Sequence, residues 1–427
     1  MSAIVRAVKG TRDFYPPQMA LRNWLYGHIR TVSERYGYQE WEAPILEMLE
    51  LYAAKSGEEL VKEQAFLFED RGGALIALRP ELTPSLARMV AQQAQELPQP
   101  IRWWSFGPFW RYERPQKGRA REFFQWNLDL LGSESIAADA EVASVAAELL
   151  AALGLTPEQV TFRVNSRTFM ERRVAELGVG DVDSATVFRL IDRVDKLSAE
   201  QWAIFGRDLG LADTQLNALR EMLTDSEQWR QSEQLSAFFQ AVEALGTREW
   251  FAFDAGVVRG LDYYTGVVFE ARDRAGRHRA ILGGGRYDNL VADVGGEPIP
   301  ATGFAMGDVV VGLVAEKHGV VPRLPACRTQ MLVTVFAPEL TEHSMALARD
   351  LRAAAFRVEL YPEASKLQKQ LRYADRQGIP LAVVLGPDEL ERSEVSVKQL
   401  RSGAQRRLLR AELVTGVRAL LDSESPS

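Results

Sequence analysis

The chain has 427 residues, enough for two or three domains because single cores stop growing near ~250–300 residues, and its mix of 46% hydrophobic and 26% charged residues is that of an ordinary globular protein. No apolar run approaches the ~18–20 residues of a membrane span, and the N-terminal segment lacks the apolar stretch of a secretory signal, so a membrane protein is excluded and a cytoplasmic one expected. The net charge of −7 argues against a nucleic-acid partner, but from Arg328 to Ser427 there are 15 Lys+Arg against 13 Asp+Glu, a net of +2, which removes that objection.

In chain order, Ala20 to Tyr36 is predicted to be an amphipathic helix, with Leu21, Trp24, Leu25, Ile29 and Val32 at helical spacing. A short extended piece follows and stops at Pro44, where a backbone donor is lost. Ala74–Leu78 reads as a strand running into Arg79-Pro80-Glu81-Leu82-Thr83-Pro84, and Leu86–Ala94 as a helix. Ile101 to Gly132 reads as a β-hairpin whose long tip, Glu113 to Ala120, holds Pro115 and Gly118. In its second arm Arg121, Phe123, Gln125, Asn127 and Asp129 share one face, opposite Phe124, Trp126, Leu128 and Leu130; in the first arm Phe109, Arg111 and Glu113 oppose Trp110 and Tyr112. A face that gathers Arg, Phe, Gln, Asn and Asp reads as the floor of a polar site.

Residues 138–153 form a predicted helix. Ser166 to Trp250 is helical and highly charged, with one apolar stripe at Val187, Leu190, Ile191, Val194 and Leu197, and reads as a helical insertion. Strands resume at Phe251–Val258 and Tyr264–Ala271, flanking Arg259-Gly260-Leu261-Asp262-Tyr263, and a further strand reaches Gly283-Gly284-Gly285-Arg286-Tyr287. Val320–Pro325 is a linker. Beyond it the strands Met331–Ala337, Arg357–Tyr361 and Leu381–Leu385 alternate with helices near Leu340–Ala354 and Ser365–Gln377, which predicts an α/β domain with a largely parallel sheet.

One cysteine, Cys327, excludes internal disulfides and cysteine-based zinc sites, and His28, His278, His318 and His343 lack metal-ligand spacing, so no metal is expected on protein side chains. Arg111 and the tip Glu113-Arg114-Pro115-Gln116-Lys117-Gly118-Arg119 cluster cations of the kind that grip phosphate, although a hairpin tip is equally often solvated surface. Glu81 and Thr83 point the same way in an extended segment, where a carboxylate could hold an amino group; by itself Thr83 reads better as a helix cap. Gly283-Gly284-Gly285 matches neither a dinucleotide fingerprint nor a P-loop, and permits either a bend or close approach to a ligand.

Taken together these segments resemble the histidyl-tRNA synthetase family over essentially the full length. Lys9-Gly10-Thr11-Arg12-Asp13 with Pro16-Pro17 is similar to that family's opening. The helix and strand ending at Pro44 resemble class II motif 1, and Phe109–Gly132 resembles motif 2. Arg259-Gly260-Leu261-Asp262-Tyr263-Tyr264 and Gly283-Gly284-Gly285-Arg286-Tyr287-Asp288 resemble two signatures specific to the histidine enzymes.

The resemblance implies an α+β fold: a class II antiparallel-sheet catalytic domain over residues 1–325, with the helical insertion at about 166–250, and an α/β anticodon-binding domain over 328–422. It implies a homodimer that uses ATP and Mg2+ to charge tRNA(His) with histidine. Arg111 would bind the ATP α-phosphate, with Glu113 beside it, and Phe123 would stack on adenine. Arg259 would meet the carboxylate and α-phosphate. Glu81, Thr83 and Gln125 would hold the amino group and backbone of histidine, with Tyr263 nearby. Asp129 and Tyr264 would read the imidazole, which offers one donor and one acceptor.

One departure stands out. In Gly303-Phe304-Ala305-Met306-Gly307-Asp308-Val309-Val310, Val310 occupies the place of the family's motif 3 arginine, a γ-phosphate and adenine contact, and Val309 that of a usual glutamate. Arg121, Arg286 and Arg12 are the candidate replacements. The gap keeps open a second reading, a non-catalytic histidine-binding regulatory subunit of ATP phosphoribosyltransferase, although such paralogues usually lack the terminal domain present here.

Overall fold

The computed structural model describes residues 4–53, 64–114, 120–178, 184–194, 196–258, 264–276 and 279–424. The chain divides into two compact units, Met1–Asp13 with Trp24–Pro322, and Phe14–Asn23 with Arg323–Ser427.

Helix α1 (Pro16–Arg35), whose residues from Trp24 onward belong to the first unit, leads into β1 (Gln39–Glu40). The helix begins four residues before its predicted start, because proline is tolerated in a first turn whose amides have no intrahelical partner. A small sheet follows: β2 (Leu46–Met48), helix α2 (Leu49–Ala53), β3 (Phe66–Glu69) and β4 (Leu75–Leu78), with β4 central and antiparallel to both neighbours. After α3 (Thr83–Gln92) comes the main hairpin, β5 (Ile101–Trp110) and β6 (Glu122–Leu131), and then α4 (Ile136–Ala152) and β7 (Val160–Ser166). Five helices, α5 (Arg167–Glu176), α6 (Ser184–Ile191), α7 (Ala199–Asp208), α8 (Asp213–Thr224) and α9 (Glu233–Ala244), separate β7 from β8 (Phe251–Phe253). The unit finishes with β9 (Val267–Asp273), β10 (Leu282–Arg286), α10 (Leu290–Asp293), β11 (Ala301–Gly307) and α11 (Asp308–Lys317).

Eight of these strands form one sheet in the order β1-β5-β6-β11-β10-β9-β7-β8. Pairing is antiparallel except for β1 with β5 and β7 with β8. One face is apolar. Trp104, Trp126, Leu128 and Phe304 lie in a core that also takes Leu25, Ile29 and Val32 of α1 and Val142, Ala146 and Leu149 of α4. Trp104 and Trp126 are wholly buried; a tryptophan removes roughly 200 Å² from water, worth on the order of several kcal/mol. That burial pins the phase of β6, since a one-residue slip would turn the polar set into the core.

Several elements depart from expectation for local reasons. β11 carries three small residues on one face, Gly303, Ala305 and Gly307, and has little strand propensity; it is held by β6 on one side and β10 on the other. β7 lies outside the predicted strands although its residues alternate, Val160, Phe162 and Val164 against Thr161, Arg163 and Asn165. β8 stops at Phe253 because the Asp254 carboxylate accepts from the Gly256 amide at 2.8 Å, an Asx turn that bends the chain away. The apolar stripe expected through Leu197 is split: α6 ends at Ile191, and Val194 and Leu197 pack from a following turn.

The second unit holds β12 (Met331–Val333), α12 (Thr341–Ala353), β13 (Val358–Leu360), α13 (Leu367–Gln377), β14 (Leu381–Val384), α14 (Pro387–Glu391), β15 (Glu394–Gln399), β16 (Gln405–Leu409) and α15 (Leu413–Glu424). Its sheet runs β13-β12-β14-β15-β16. The first three strands are parallel, as predicted, but β15 and β16 add an antiparallel edge. The turn between β15 and β16 explains their pairing: Gly403 adopts φ +76° and the Gln399 amide donates to the Ala404 carbonyl at 2.8 Å, a connection too short for a parallel crossover. Among the described residues, no helix is long and apolar enough to cross a membrane.

Candidate active site

The polar face of β6 is where the sequence pattern placed it. Along the sheet, β11 sets Gly303 opposite Asp129, Ala305 opposite Asn127 and Gly307 opposite Gln125, and β10 sets Gly283 beside Ala305. A row of small residues therefore lies next to the long polar ones and leaves room above the sheet. Gly303 has no alternative, since a Cβ there would stand 2.0 Å from Asp129 Oδ1. Gly284 and Gly285 are filled against neighbouring backbone, whereas a Cβ on Gly283 would meet little but open space. Of the three glycines only Gly283 keeps space for a ligand.

Of the cavities that open on this face, two adjoining ones gather the residues singled out from the sequence. One, of about 230 Å³, brings together Glu81, Thr83, Gln125, Asp129 and Tyr264, with Arg111 at its border. The other, of about 260 Å³, brings together Arg111, Glu113 and Phe123 with Val309 and Val310. Arg111, Gln125, Gly283 and Ala305 line both, so the cavities adjoin along that seam. Arg259 and Tyr263, and the hairpin-tip residues Pro115 to Arg119, lie outside the described residues.

Each wall is held by contacts that sequence periodicity does not show. Arg79 is completely buried: its Nε donates to the Pro108 carbonyl at 2.9 Å, Nη1 donates to the Ala43 carbonyl at 3.0 Å and to Glu42, and the guanidinium lies 4.8 Å from the Phe109 ring centre. Gly107 is required beneath it, because a Cβ there would be 2.3 Å from Nη2. This anchor fixes the segment that presents Pro80, Glu81 and Thr83. The Arg111 Nε in turn donates to the Pro80 carbonyl at 2.9 Å, and its guanidinium lies 5.5 Å from the Phe123 ring centre. Phe123 stacks on Phe109 with centres 6.0 Å apart. Thr83 is not the cap of α3. The cap position is Leu82, with no side-chain bond, so the Thr83 hydroxyl is not spent on capping and lines the smaller cavity.

Tyr287 is the principal site residue that the sequence reading left without a role. Its hydroxyl donates to Asp129 Oδ1 in the buried wall of the smaller cavity. Its neighbours hold it there. Arg286 is clamped to the start of α4 through Asp139 Oδ2 at 3.0 Å and the Ser133 carbonyl at 2.8 Å, and Asp288 accepts from the Thr265 hydroxyl at 2.6 Å. The Arg-Tyr-Asp run thus ties β10 to α4, to Asp129 and to the segment carrying Tyr264. The signal was present in the strand's parity, but Tyr287 lies one residue past the end of β10, where alternation no longer binds. Asn127 was read on the polar face without a role; it lines the same cavity, and its buried Nδ2 has no hydrogen-bond partner among the described residues.

The electrostatics follow from burial. Desolvation pushes the Asp129 carboxyl up to about 7, against the Tyr287 hydroxyl, which lowers it. Desolvation also raises the Tyr264 phenol above its ordinary value, with Asp129 and Glu81 opposing its ionisation, so it stays an O–H group at neutral pH. The smaller cavity therefore offers a neutral hydroxyl, an amide donor and a carboxyl poised between its two forms. The larger offers an aromatic face and a guanidinium. Such a pair suits a small zwitterion beside an aromatic, anionic ligand, with arginine where the two meet.

Residues 10–308 match the family model described as histidyl-tRNA synthetase, and residues 329–420 match that of an anticodon binding domain. The chain is 40% identical over 414 residues to the histidine–tRNA ligase of Haloarcula marismortui, across 93% of this chain and 94% of that one. It is 38% identical over 414 residues to the chloroplastic/mitochondrial histidine–tRNA ligase of Arabidopsis thaliana, across 94% of this chain and 84% of that one. Among solved structures it is similar to a histidyl-tRNA synthetase from Nostoc, with a TM-score of 0.82 and 25% identity over 98% of this chain and 100% of that one. In sequence and in architecture alike, the chain belongs to the histidyl-tRNA synthetase family.

Proposed function

We propose that this chain is an ATP-dependent histidine–tRNA ligase acting in the cytoplasm. The observation that carries the reading is the seam between the two cavities, where Arg111 borders both. With histidine in the smaller cavity and ATP in the larger, the amino-acid carboxylate and the α-phosphate meet beside that guanidinium. The carboxylate oxygen attacks the α-phosphorus, the bond to the bridging oxygen breaks, and pyrophosphate leaves; a ribose hydroxyl of the terminal adenosine of tRNA(His) then attacks the adenylate's carbonyl carbon, the acyl–phosphate bond breaks, and AMP leaves. Arg111 and Arg259 neutralise charge that grows on the α-phosphate oxygens. Phe123 stacks on adenine. Glu81, Thr83 and Gln125 hold the amino group and backbone of histidine, with Tyr263 close by, while Asp129 and Tyr264 grip the imidazole. A magnesium ion carried on the triphosphate would screen its charge, and Glu113 on the cavity wall is a carboxylate that would face it. Catalysis falls to residues 1–325, with the insertion near 166–250, and recognition of the anticodon to 328–422.

Histidine-dependent exchange of labelled pyrophosphate into ATP tests this directly. The purified chain is expected to exchange with histidine and with no other amino acid. Absence of exchange while histidine still binds would favour the regulatory-subunit reading instead.

We also propose a homodimer, on the strength of the small sheet. Leu46, Leu78 and Phe66 form one row in register and Met48, Ile76 and Phe68 the next, all on one face. Leu46, Met48 and Phe68 are 47%, 44% and 41% exposed. A contiguous apolar face of this kind marks an association surface, because a monomer gains nothing by presenting it to water. The native mass in solution is expected to be twice that of one chain, and Leu46→Asp with Phe68→Asp to halve it. A wild-type protein that sediments as a single chain would exclude the dimer.

A further inference from the structure

A nucleoside triphosphate is densely anionic, and where the family places a motif 3 arginine this chain has Val310, in the first turn of α11 on the wall of the larger cavity. None of the three arginines considered from sequence lines that cavity. Arg286 is buried and committed to Asp139 and to the carbonyls at the start of α4. Arg121 donates to the Glu113 and Lys9 carbonyls and lies 3.9 Å from the Tyr112 ring centre. Arg12 pairs with Asp308 at 2.8 Å.

We propose that Arg279 binds the β- and γ-phosphates of ATP in place of the missing arginine; the inference rests on reading the larger cavity as the nucleotide site. Arg279 lines that cavity together with Val309 and Val310. The register explains why. Leu282 of β10 faces Met306 of β11 in an antiparallel pair. Three residues back from Leu282 is Arg279, and four residues forward from Met306 is Val310, so strand pairing carries the two positions to the same mouth. Arg111 stands at the seam with the amino-acid cavity, whereas Arg279 lines the nucleotide cavity alone. Two guanidiniums at separate places on one cavity suit an elongated polyanion, one at the α-phosphate and one toward its tail. The nearby Asp308 does not oppose this, since Arg12 and the Phe124 amide at 3.0 Å cover its carboxylate. Arg279 is solvent-exposed, as suits a group that must release pyrophosphate.

The test is the affinity of the full-length protein for ATP and for AMP, by equilibrium dialysis with magnesium. Arg279→Ala is expected to weaken ATP binding by about 10- to 100-fold and to leave AMP within twofold, because AMP lacks the phosphates concerned. A merely structural role would move both. Arg279→Ala with Val310→Arg is expected to recover ATP affinity to within severalfold of wild type. Unchanged ATP affinity in Arg279→Ala, an equal loss for AMP, or a swap that recovers nothing would each overturn the assignment. Wild-type protein that binds ATP but does not exchange pyrophosphate would sink the ligase reading and still leave this comparison decisive.

Discussion

Arg111→Ala is expected to lower histidine-dependent pyrophosphate exchange by roughly two to three orders of magnitude, the usual cost of removing a fixed charge from a transition state. Arg111 lies just past the end of β5, its Nε held by the Pro80 carbonyl at 2.9 Å and its amide donating to the Arg121 carbonyl at 2.9 Å. With Nε engaged, the two terminal nitrogens remain to fork an anion at the seam. Arg111→Lys is expected to recover only part of the loss, because an ammonium cannot present two parallel donors. The fold should survive, since the guanidinium is only partly buried and its place is on the cavity wall rather than in the core. Circular dichroism and the melting temperature should match wild type. Exchange within fivefold of wild type in a folded Arg111→Ala protein would remove this residue from the chemistry.

The second large effect is expected at Asp129, where function and stability pull apart. Asp129→Asn should weaken histidine binding by at least about tenfold, the loss of a charge-assisted contact, and leave ATP affinity within twofold. An equal loss for both ligands would dissociate Asp129 from the imidazole. The same substitution should stabilise the unliganded protein in alkaline solution. The folded carboxyl lies at about 7 against 3.8 for the free group, so the fold favours its neutral form. That contribution is complete below pH 4 and is lost as pH rises through about 7. The wild type should therefore lose stability across that window relative to Asp129→Asn. Above pH 7 the variant should melt higher by about 2 °C or more, the shift for ~1 kcal/mol in a unit of this size. Identical pH profiles would mean that Asp129 is ionised throughout.

Burying a carboxyl that resists ionisation beside a hydroxyl that cannot ionise is costly, and the structure concentrates other constraints around it. Gly303 must lack a side chain for Asp129 to lie over it, and the Tyr287 hydroxyl must reach its oxygen. A site built of such buried groups is expected to discriminate strongly against amino acids lacking an imidazole, because each wrong side chain strands a buried donor or acceptor.

What the sequence determined by itself was the set of features that repeat at short range. The two-residue period of β6 placed Phe123, Gln125, Asn127 and Asp129 on one face and Trp126 and Leu128 on the other, since side-chain direction along a strand is a local property. The helical character of the stretch read from Ser166 to Trp250 followed for the same reason, although Ser166 itself ends β7. What only the tertiary structure decided were the features that depend on which distant segments pair. β11 was invisible because its small residues have no propensity of their own and are recruited by β6 and β10. Thr83 reads locally as a cap, and only the fold of the Arg79 segment turns it toward a cavity. Tyr287 and Arg279 lie beyond the two ends of β10, where strand periodicity no longer applies, and hydrogen-bonded register across the sheet brings one to Asp129 and the other to Val310. Alternation is written in neighbouring residues, but a cavity is enclosed by segments as far apart in the chain as Glu81 and Ala305, and their meeting is settled by packing.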